Sequence, residues 1–171
     1  MSVQQFKSFV GGVWQLVSAI QSSAGAGDAG KIPALDSAGR LSSTMMPTGV
    51  GAETITVVAS EALTAGNFVN VYNNAGTPNV RKSDATTAGK EANGFVMAGV
   101  SSGASATVYL SGLNTQLTGL TAGRYVISTT PGGVVGIASA PATTGNVVQE
   151  IGAALSATTI SFKPQEPVTL A

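Results

Sequence analysis

The sequence contains neither cysteine nor histidine. Without cysteine the chain has no disulfide, no thiolate nucleophile and no thiolate metal ligand. Without histidine it lacks the side chain that most often transfers protons near neutral pH and binds transition metals. We therefore predict that the protein is not an enzyme, and that it has no catalytic residues, no metal site and no cofactor.

Charged residues are also scarce. They make up 9% of the chain, against about 25% in typical soluble domains. The eight acidic and eight basic residues give a net charge of zero, so no basic stripe for nucleic acid is expected. A free monomer usually depends on charge to stay soluble and separate from its neighbours. The composition therefore favours a protein whose surface is covered by partner proteins, and a rigid secreted β-protein is the alternative.

Long apolar runs are absent as well. No stretch approaches the roughly 18 apolar residues of a membrane-spanning helix, so we predict no membrane partner. Residues 9–20 followed by 24–26 resemble a signal peptide and its cleavage site. Gly11 and Gly12 interrupt that apolar run and only Lys7 supplies a basic charge before it, which argues against export.

Apolar residues near the N-terminus are spaced alternately three and four apart. This spacing is typical of a heptad repeat and predicts an N-terminal helix over residues 1–22. Phe9, Trp14 and Leu16 widen its apolar face, whereas the Gly11-Gly12 pair disfavours a helix. Such a helix serves either self-association as a homotrimer or docking on a partner. The predicted oligomer and partner contacts are Val3, Phe6, Val10, Val13, Trp14, Val17 and Ile20.

Residues 23–51 form the next predicted segment, an extended arm or linker. A stretch rich in Ser, Ala and Gly suggests a hinge, and Pro33 and Pro47 exclude a long helix. Asp36 and Gly39 predict a turn. Apolar residues without periodicity are scattered along the arm, and we expect them to enter grooves on another protein. These predicted contact residues of the arm are Ile32, Leu35, Leu41, Met45 and Met46.

Residues 52–163 are predicted to form a β-domain. Segments rich in Val, Ile, Thr, Tyr and Phe recur about every ten residues between turn sequences. The predicted fold is mainly β: a small β-barrel or sandwich preceded by the N-terminal helix and the extended arm, with an extended tail at 164–171. The strands are expected near residues 54–59, 68–72, 79–82, 94–100, 106–110, 125–129, 134–138, 147–153 and 159–163.

Two matches to phosphate-binding motifs occur in the arm. Residues 25–30 fit G-x-G-x-x-G, and residues 25–31 fit G-x-x-x-x-G-K. A nucleotide site needs a strand before the glycines and a helix after them, but a helix is predicted before and Pro33 follows. Ile32 also stands where the second motif needs Ser or Thr. The acidic residues lie singly, so the pair that a polysaccharide-cleaving enzyme requires is not evident.

Several motifs resemble virion proteins of tailed bacteriophages. The linker GKIPALDSAGRL at 30–41, with MMP at 45–47 and GVG at 49–51, is similar to a linker in such proteins. A second set of motifs resembles the small β-barrel of phage capsid decoration proteins, also called cement proteins, and of related fibre modules. This set comprises ASEALTAGNFVNVY at 59–72, GFV at 94–96, SATVYL at 105–110 and GLTAGRY at 119–125.

The resemblance implies a β-barrel that forms homotrimers on the outer capsid surface of the virion. It implies the major capsid protein as partner, which makes the contact residues of the arm the expected capsid contacts, and it implies no catalysis. The expected function is a head decoration protein that bridges and stabilises capsid subunits. A tail-fibre or baseplate attachment protein is the alternative, because the β-module is shared by head and tail proteins.

Overall fold

The computed structural model describes residues 5–46 and 52–171. The chain divides into two compact units, Met1–Gly51 and Ala52–Ala171. Within the described ranges, no helix has both the length and the apolar composition needed to cross a membrane.

The first unit begins with a β-hairpin, so the prediction of a helix over residues 1–22 is wrong for the described residues. Strands β1 (Gln5–Val10) and β2 (Val13–Ser18) pair antiparallel. Gly11 and Gly12 connect them with φ angles of 63° and 84°. Two consecutive positive φ angles are the requirement of a type I′ turn, whose twist matches that of the flanking strands.

The heptad-like spacing has a different origin in this hairpin. The apolar positions are symmetric about the glycine pair, so Phe6 lies opposite Val17 and Val10 lies opposite Val13. The spacings of four, from Phe6 to Val10 and from Val13 to Val17, therefore lie within one strand, and the spacing of three from Val10 to Val13 crosses the turn. Each glycine disfavours a helix by about 1 kcal/mol relative to alanine, whereas valine and phenylalanine favour strands.

The arm folds back on itself near its start and is not extended throughout. The amide of Ile20 donates to the carbonyl oxygen of Ile32 at 3.0 Å, and the amide of Ala34 donates to the carbonyl oxygen of Ile20 at 2.7 Å. Short 3₁₀ turns occur at Ala26–Asp28 and Ser43–Met45. The Ser/Ala/Gly-rich segment predicted as a hinge thus lies inside a loop closed by backbone hydrogen bonds.

The second unit contains every strand that the sequence predicted. Two further short strands, at Gly112–Asn114 and Val168–Thr169, were not predicted. The strands are β3 (Thr54–Ala59), β4 (Phe68–Asn74), β5 (Thr77–Lys82), β6 (Gly94–Val96), β7 (Ser105–Tyr109), β8 (Gly112–Asn114), β9 (Gly123–Ile127), β10 (Val134–Gly136), β11 (Val147–Val148), β12 (Glu150–Ser156), β13 (Thr159–Phe162) and β14 (Val168–Thr169). A 3₁₀ turn at Ile137–Ser139 follows β10.

The predicted β-barrel is confirmed. Five strands close it in the order β3-β5-β4-β6-β7, and β7 pairs with β3. The β3–β5 pair is parallel and the other pairs are antiparallel. A separate antiparallel sheet has the order β10-β9-β12-β13-β8, and β14 in the C-terminal tail pairs with β11.

The barrel wall separates two hydrophobic cores. Successive side chains of a strand point to opposite faces. Val69 and Val96 therefore belong to the cluster inside the barrel, and their neighbours Phe68 and Phe95 belong to the cluster shared with the second sheet. All four side chains are at most 1% exposed. The first three residues of β4 and all of β6 are thus buried on both faces, and they join the barrel to the sheet.

A glycine is required where β12 passes between β9 and β13. Gly152 has a φ of 136°, and a Cβ atom there would overlap the carbonyl oxygen of Ser161. The pairing of β12 with β9 also shifts register between Glu150 and Gly152. The close approach of the β13 backbone therefore excludes any side chain at position 152.

Candidate functional site

Exposed apolar side chains are concentrated in the first unit. None of the side chains described in residues 5–46 is buried. This range carries nine exposed large apolar residues, whereas the much longer range 52–171 carries five. The nine are Phe6, Phe9, Val13, Trp14, Leu16, Ile32, Leu35, Leu41 and Met46. The candidate site is therefore a binding surface on the hairpin and the arm.

The predicted helix contacts are now distributed over the hairpin and the start of the arm. Phe6, Val13 and Trp14 are exposed, and Val17 and Ile20 are partly buried. The structure describes only the backbone of Val10. Val3 lies outside the described residues.

The hairpin has two different faces. On the first, called the Phe6 face, Phe6 lies opposite Val17 and Ser8 lies opposite Gln15, with Val13 toward the turn. These residues share a face because directly opposed residues of an antiparallel pair point the same way. The Phe6 face therefore carries apolar side chains around a polar centre and no charged group.

The second face, called the Trp14 face, is more exposed. Phe9 lies opposite Trp14, with ring centroids 5.2 Å apart and planes tilted by 57°. Lys7 lies opposite Leu16. Trp14 is 69% exposed and Leu16 is 64% exposed. In a helix Phe9 and Leu16 would only widen the apolar face, whereas the strand register places them on the same face as Trp14.

Hydrogen bonds hold the backbone that carries the predicted arm contacts. Ile32, Leu35, Leu41 and Met46 are exposed, and Met45 is partly buried. The side-chain amide of Gln21 donates to the carbonyl oxygen of Leu35 at 2.9 Å. The amide of Ser23 donates to the Thr44 hydroxyl at 2.8 Å. Such bonds order the arm before any partner binds, which lowers the entropic cost of docking.

The acidic residues of the arm stabilise its turns. Lys31 donates a hydrogen bond to Asp28 at 2.6 Å, and this bond, with a second from the Ala24 amide, lowers the pKa of Asp28. The amide of Arg40 donates to Asp36, and this contact is the main cause that lowers the pKa of Asp36. Both carboxylates are therefore engaged within the arm.

The predicted turn at Asp36 is confirmed. Its carboxylate accepts hydrogen bonds from the amides of Ala38 and Arg40, at 2.8 and 2.9 Å. Gly39 has a φ of 74° and its amide donates to the carbonyl oxygen of Asp36. The local sequence thus fixes this part of the arm without long-range contacts.

A groove of about 490 Å³ lies in the second unit beside the loops that flank β8–β10. No charged side chain lines it. The hydroxyl of Tyr125 accepts a hydrogen bond from the Thr121 amide at 2.8 Å and is engaged locally. The groove therefore offers no acid–base pair for hydrolysis. Its lining residues include Gly66, Asn67, Gln116, Tyr125, Gly133 and Ser139.

Carboxylates of the second unit also make local contacts. Glu150 forms an ion pair with Arg124, and Glu61 accepts a hydrogen bond from the Lys82 amide at 2.9 Å. Asp84 accepts from the amide of Thr86 at 2.8 Å. Across the described ranges, no three Asp or Glu residues cluster as metal ligands. These contacts stabilise turns and strand pairs.

Comparison with known proteins gives one structural similarity. No family model matches the chain, and no curated protein matches it. The structure is similar to the crystal structure of the head fiber gp8.5 N base in bacteriophage phi29, with a TM-score of 0.44 and 11% sequence identity. The match covers 66% of this chain and 92% of that chain.

Proposed function

We propose that the chain is a structural, non-enzymatic protein of a tailed-phage particle, and specifically a head decoration protein. In this role it binds the outer capsid surface and bridges neighbouring major capsid subunits through its first unit. The proposal combines the linker resemblance at residues 30–51 with the exposed apolar surface of the hairpin and arm.

The observation that carries the proposal is the lack of a core in the first unit. Ordering each residue costs about 1–2 kcal/mol of backbone entropy, and burial of apolar surface is the main term that offsets it. Residues 5–46 have no buried side chain among those described. Because an isolated two-stranded hairpin is marginal in water, this unit gains its stability when a partner covers it.

The arm offers several separate contacts. Ile32, Leu35, Leu41 and Met46 are 37–56% exposed. A fully buried apolar side chain contributes about 1.5–3 kcal/mol, so covering the remaining half contributes roughly 1 kcal/mol per residue. Several weak contacts on one chain bind tightly through effective concentration. They also add buried area that must be lost before neighbouring capsid subunits separate.

The second unit suits a role outside the binding interface. Its barrel is closed and has no free strand edge, and its five-stranded sheet ends in the edge strands β8 and β10, which have only three residues each. Among the described residues, no buried side-chain nitrogen or oxygen lacks a hydrogen-bond partner. Polar groups left without partners are common where a site is prepared for a ligand, and none is found in this domain.

Heat stability of the particle tests the function. Particles stripped of the protein are expected to lose DNA at lower temperature than complete ones, and adding the protein back should restore them. Binding should depend little on salt, because the net charge is zero. Equal heat stability with and without the protein, together with lost adsorption to the host, would instead support the tail-fibre or baseplate alternative.

A double variant tests the arm. Leu35→Ser with Met46→Ser should weaken particle binding roughly 30-fold, since two contacts of about 1 kcal/mol each are lost. The matched control is Leu155→Ser in the second unit, where a leucine is 63% exposed. Unchanged binding by the double variant, or an equal loss in the control, would contradict the assignment of the arm as the capsid contact.

A further inference from the structure

Strand β10 forms one edge of the five-stranded sheet and lines the groove of the second unit. We propose that this edge binds a short, extended, uncharged peptide of another protein, which joins the sheet as a further strand next to β10. An edge strand presents unpaired backbone groups to such a peptide, and strand addition is a recurring mode of peptide binding. The inference concerns a partner of the second unit and does not depend on the capsid contact proposed for the first.

The hydrogen bonds of β9 show how β9 and β10 are paired. The amide of Ser128, just beyond β9, donates to the carbonyl oxygen of Gly133 at 3.1 Å. The amide of Ile127 points the other way and donates to the carbonyl oxygen of Gln149 at 3.1 Å. Opposed residues of an antiparallel pair alternate between bonded and non-bonded pairs. Ile127 and Val134 therefore form a non-bonded pair.

The same alternation leaves backbone groups of β10 free. Val135 forms a bonded pair with Val126, whereas Val134 and Gly136 direct their backbone N–H groups away from β9. Within residues 52–171, neither of these two amides donates to a protein acceptor, and the carbonyl oxygen of Val134 accepts no hydrogen bond. Two free amides that lie two residues apart, at about 6.8 Å, match the repeat of an incoming strand.

The groove places this edge in a preformed site. A loop at residues 116–120 lines the same groove as β10. The amides of Leu117 and Leu120 hold the loop in place by donating to the turn between β12 and β13, at 3.3 and 3.1 Å. Within residues 52–171, the amides of Thr118 and Gly119 have no protein acceptor. Walls that are ordered before binding lower its entropic cost.

The lining of the groove favours an uncharged ligand. No charged side chain lines it, and its polar side chains include the amides of Asn67 and Gln116. A charged group buried there would lose water without gaining a partner. A sugar ring would need an exposed aromatic side chain on which to stack, but Tyr125, the only aromatic residue of the lining, is 7% exposed. The free amides of β10 therefore favour a peptide over a saccharide.

The partner strand pairs over a short length. Strand β10 ends where the 3₁₀ turn at Ile137–Ser139 begins. Three outward backbone groups are therefore available, two on Val134 and the N–H of Gly136. Three backbone hydrogen bonds, each of modest net value, predict a dissociation constant on the order of 1 mM. Strand β8, the other edge of the sheet, does not line the groove.

Gly136→Pro tests the edge with little expected effect on the fold. Gly136 has a φ of −60°, close to the value of about −65° that proline adopts, and a Cβ atom there meets no atom within 4 Å. The substitution removes the outward N–H and places the proline ring where the peptide would lie. It should abolish measurable peptide binding. The matched control Gly136→Ala keeps the N–H and should bind like the wild type.

Amide hydrogen exchange of the isotope-labelled full-length protein measures binding residue by residue. The probe is the peptide Ac-Thr-Val-Thr-Val-Thr-NH₂ at about 10 mM, which should slow the exchange of the Val134 and Gly136 amides about tenfold if the dissociation constant is about 1 mM. The amide of Val135 should be protected with or without the peptide, because it is bonded to β9. Unchanged exchange at both Val134 and Gly136, or undiminished slowing at Val134 in Gly136→Pro, would overturn the proposal.

Two further ligands test the class of partner on the wild-type protein. Pentaproline lacks backbone N–H donors and should leave the exchange of both amides unchanged. Slowing by pentaproline equal to that by the first peptide would contradict strand addition, even if Gly136→Pro failed to fold. Slowing by maltohexaose, a neutral oligosaccharide, without slowing by the first peptide would show that the groove binds a sugar instead.

Discussion

Phe95→Ala tests whether the barrel and the second sheet form one cooperative unit. Phe95 is 1% exposed and lies in the core that the two share. Its ring stacks on Tyr109 at 5.4 Å, meets Phe162 edge-on at 5.6 Å and lies 6.2 Å from Phe68. Truncating a buried phenylalanine costs about 3–5 kcal/mol, and three aromatic neighbours place the expected loss toward about 5 kcal/mol.

The adjacent residue supplies a matched variant on the opposite face. Val96 is equally buried but lies inside the barrel. Val96→Ala should cost about 2 kcal/mol, because fewer methyl groups are removed. The exposed control Leu155→Ala should change the free energy of unfolding by less than about 0.5 kcal/mol.

Urea unfolding followed by circular dichroism measures all three variants. Trp14 fluorescence reports the first unit separately, since the second unit contains no tryptophan. We expect one transition for the second unit, with its midpoint lowered in proportion to each loss and its m-value unchanged. The idea that β4 and β6 couple the barrel to the sheet would be refuted by two separate unfolding transitions, one shifted by Phe95→Ala and the other by Val96→Ala.

Gly152→Ala should destabilise the second unit by more than about 2 kcal/mol, because the new Cβ atom would overlap the carbonyl oxygen of Ser161. The control is Gly136→Ala, whose Cβ meets no atom within 4 Å. This control should have little effect on the melting temperature. The pKa of Asp28 is lowered from 3.8, mainly by its hydrogen bond from Lys31. The stabilisation of the arm by ionised Asp28 is therefore fully present above pH 3.8 and is lost as pH falls through the lowered pKa. Lys31→Gln should raise the pKa of Asp28, which a carboxyl NMR titration measures.

The β-domain was largely predictable from sequence because its signals are local. Runs such as residues 54–59 and 68–72 combine β-branched and aromatic residues between turn sequences. The order of strands in the barrel was not predictable, since the β3–β7 and parallel β3–β5 pairs join distant segments. The strands β8 and β14 span three and two residues and each contains a single apolar residue, Leu113 or Val168, so no strand pattern appears in the sequence.

The exposed apolar residues of the first unit stand out in the sequence, but the shape of the surface that they form does not. The arm residues are apolar without periodicity, and the N-terminal apolar residues are spaced alternately three and four apart. The N-terminal segment was misassigned because spacing symmetric about Gly11-Gly12 is indistinguishable from a heptad repeat. Two adjacent glycines flanked by β-branched residues were the signal for a hairpin, and they deserve more weight than three heptads.

Closure of the barrel has a consequence for the order of events during synthesis. Among the barrel strands, β3 leaves the ribosome first. Its partner β7, Ser105–Tyr109, follows about fifty residues later. The β4–β5 hairpin is local, with Ala75 and Gly76 at positive φ in its turn, and hairpins form within about 1–10 μs. We expect β4–β5 to form first on the nascent chain. One edge of β3 can then pair with β5, but its other edge stays unpaired until β7 emerges, and the emergence of β7 sets the time at which the ring of strands can close.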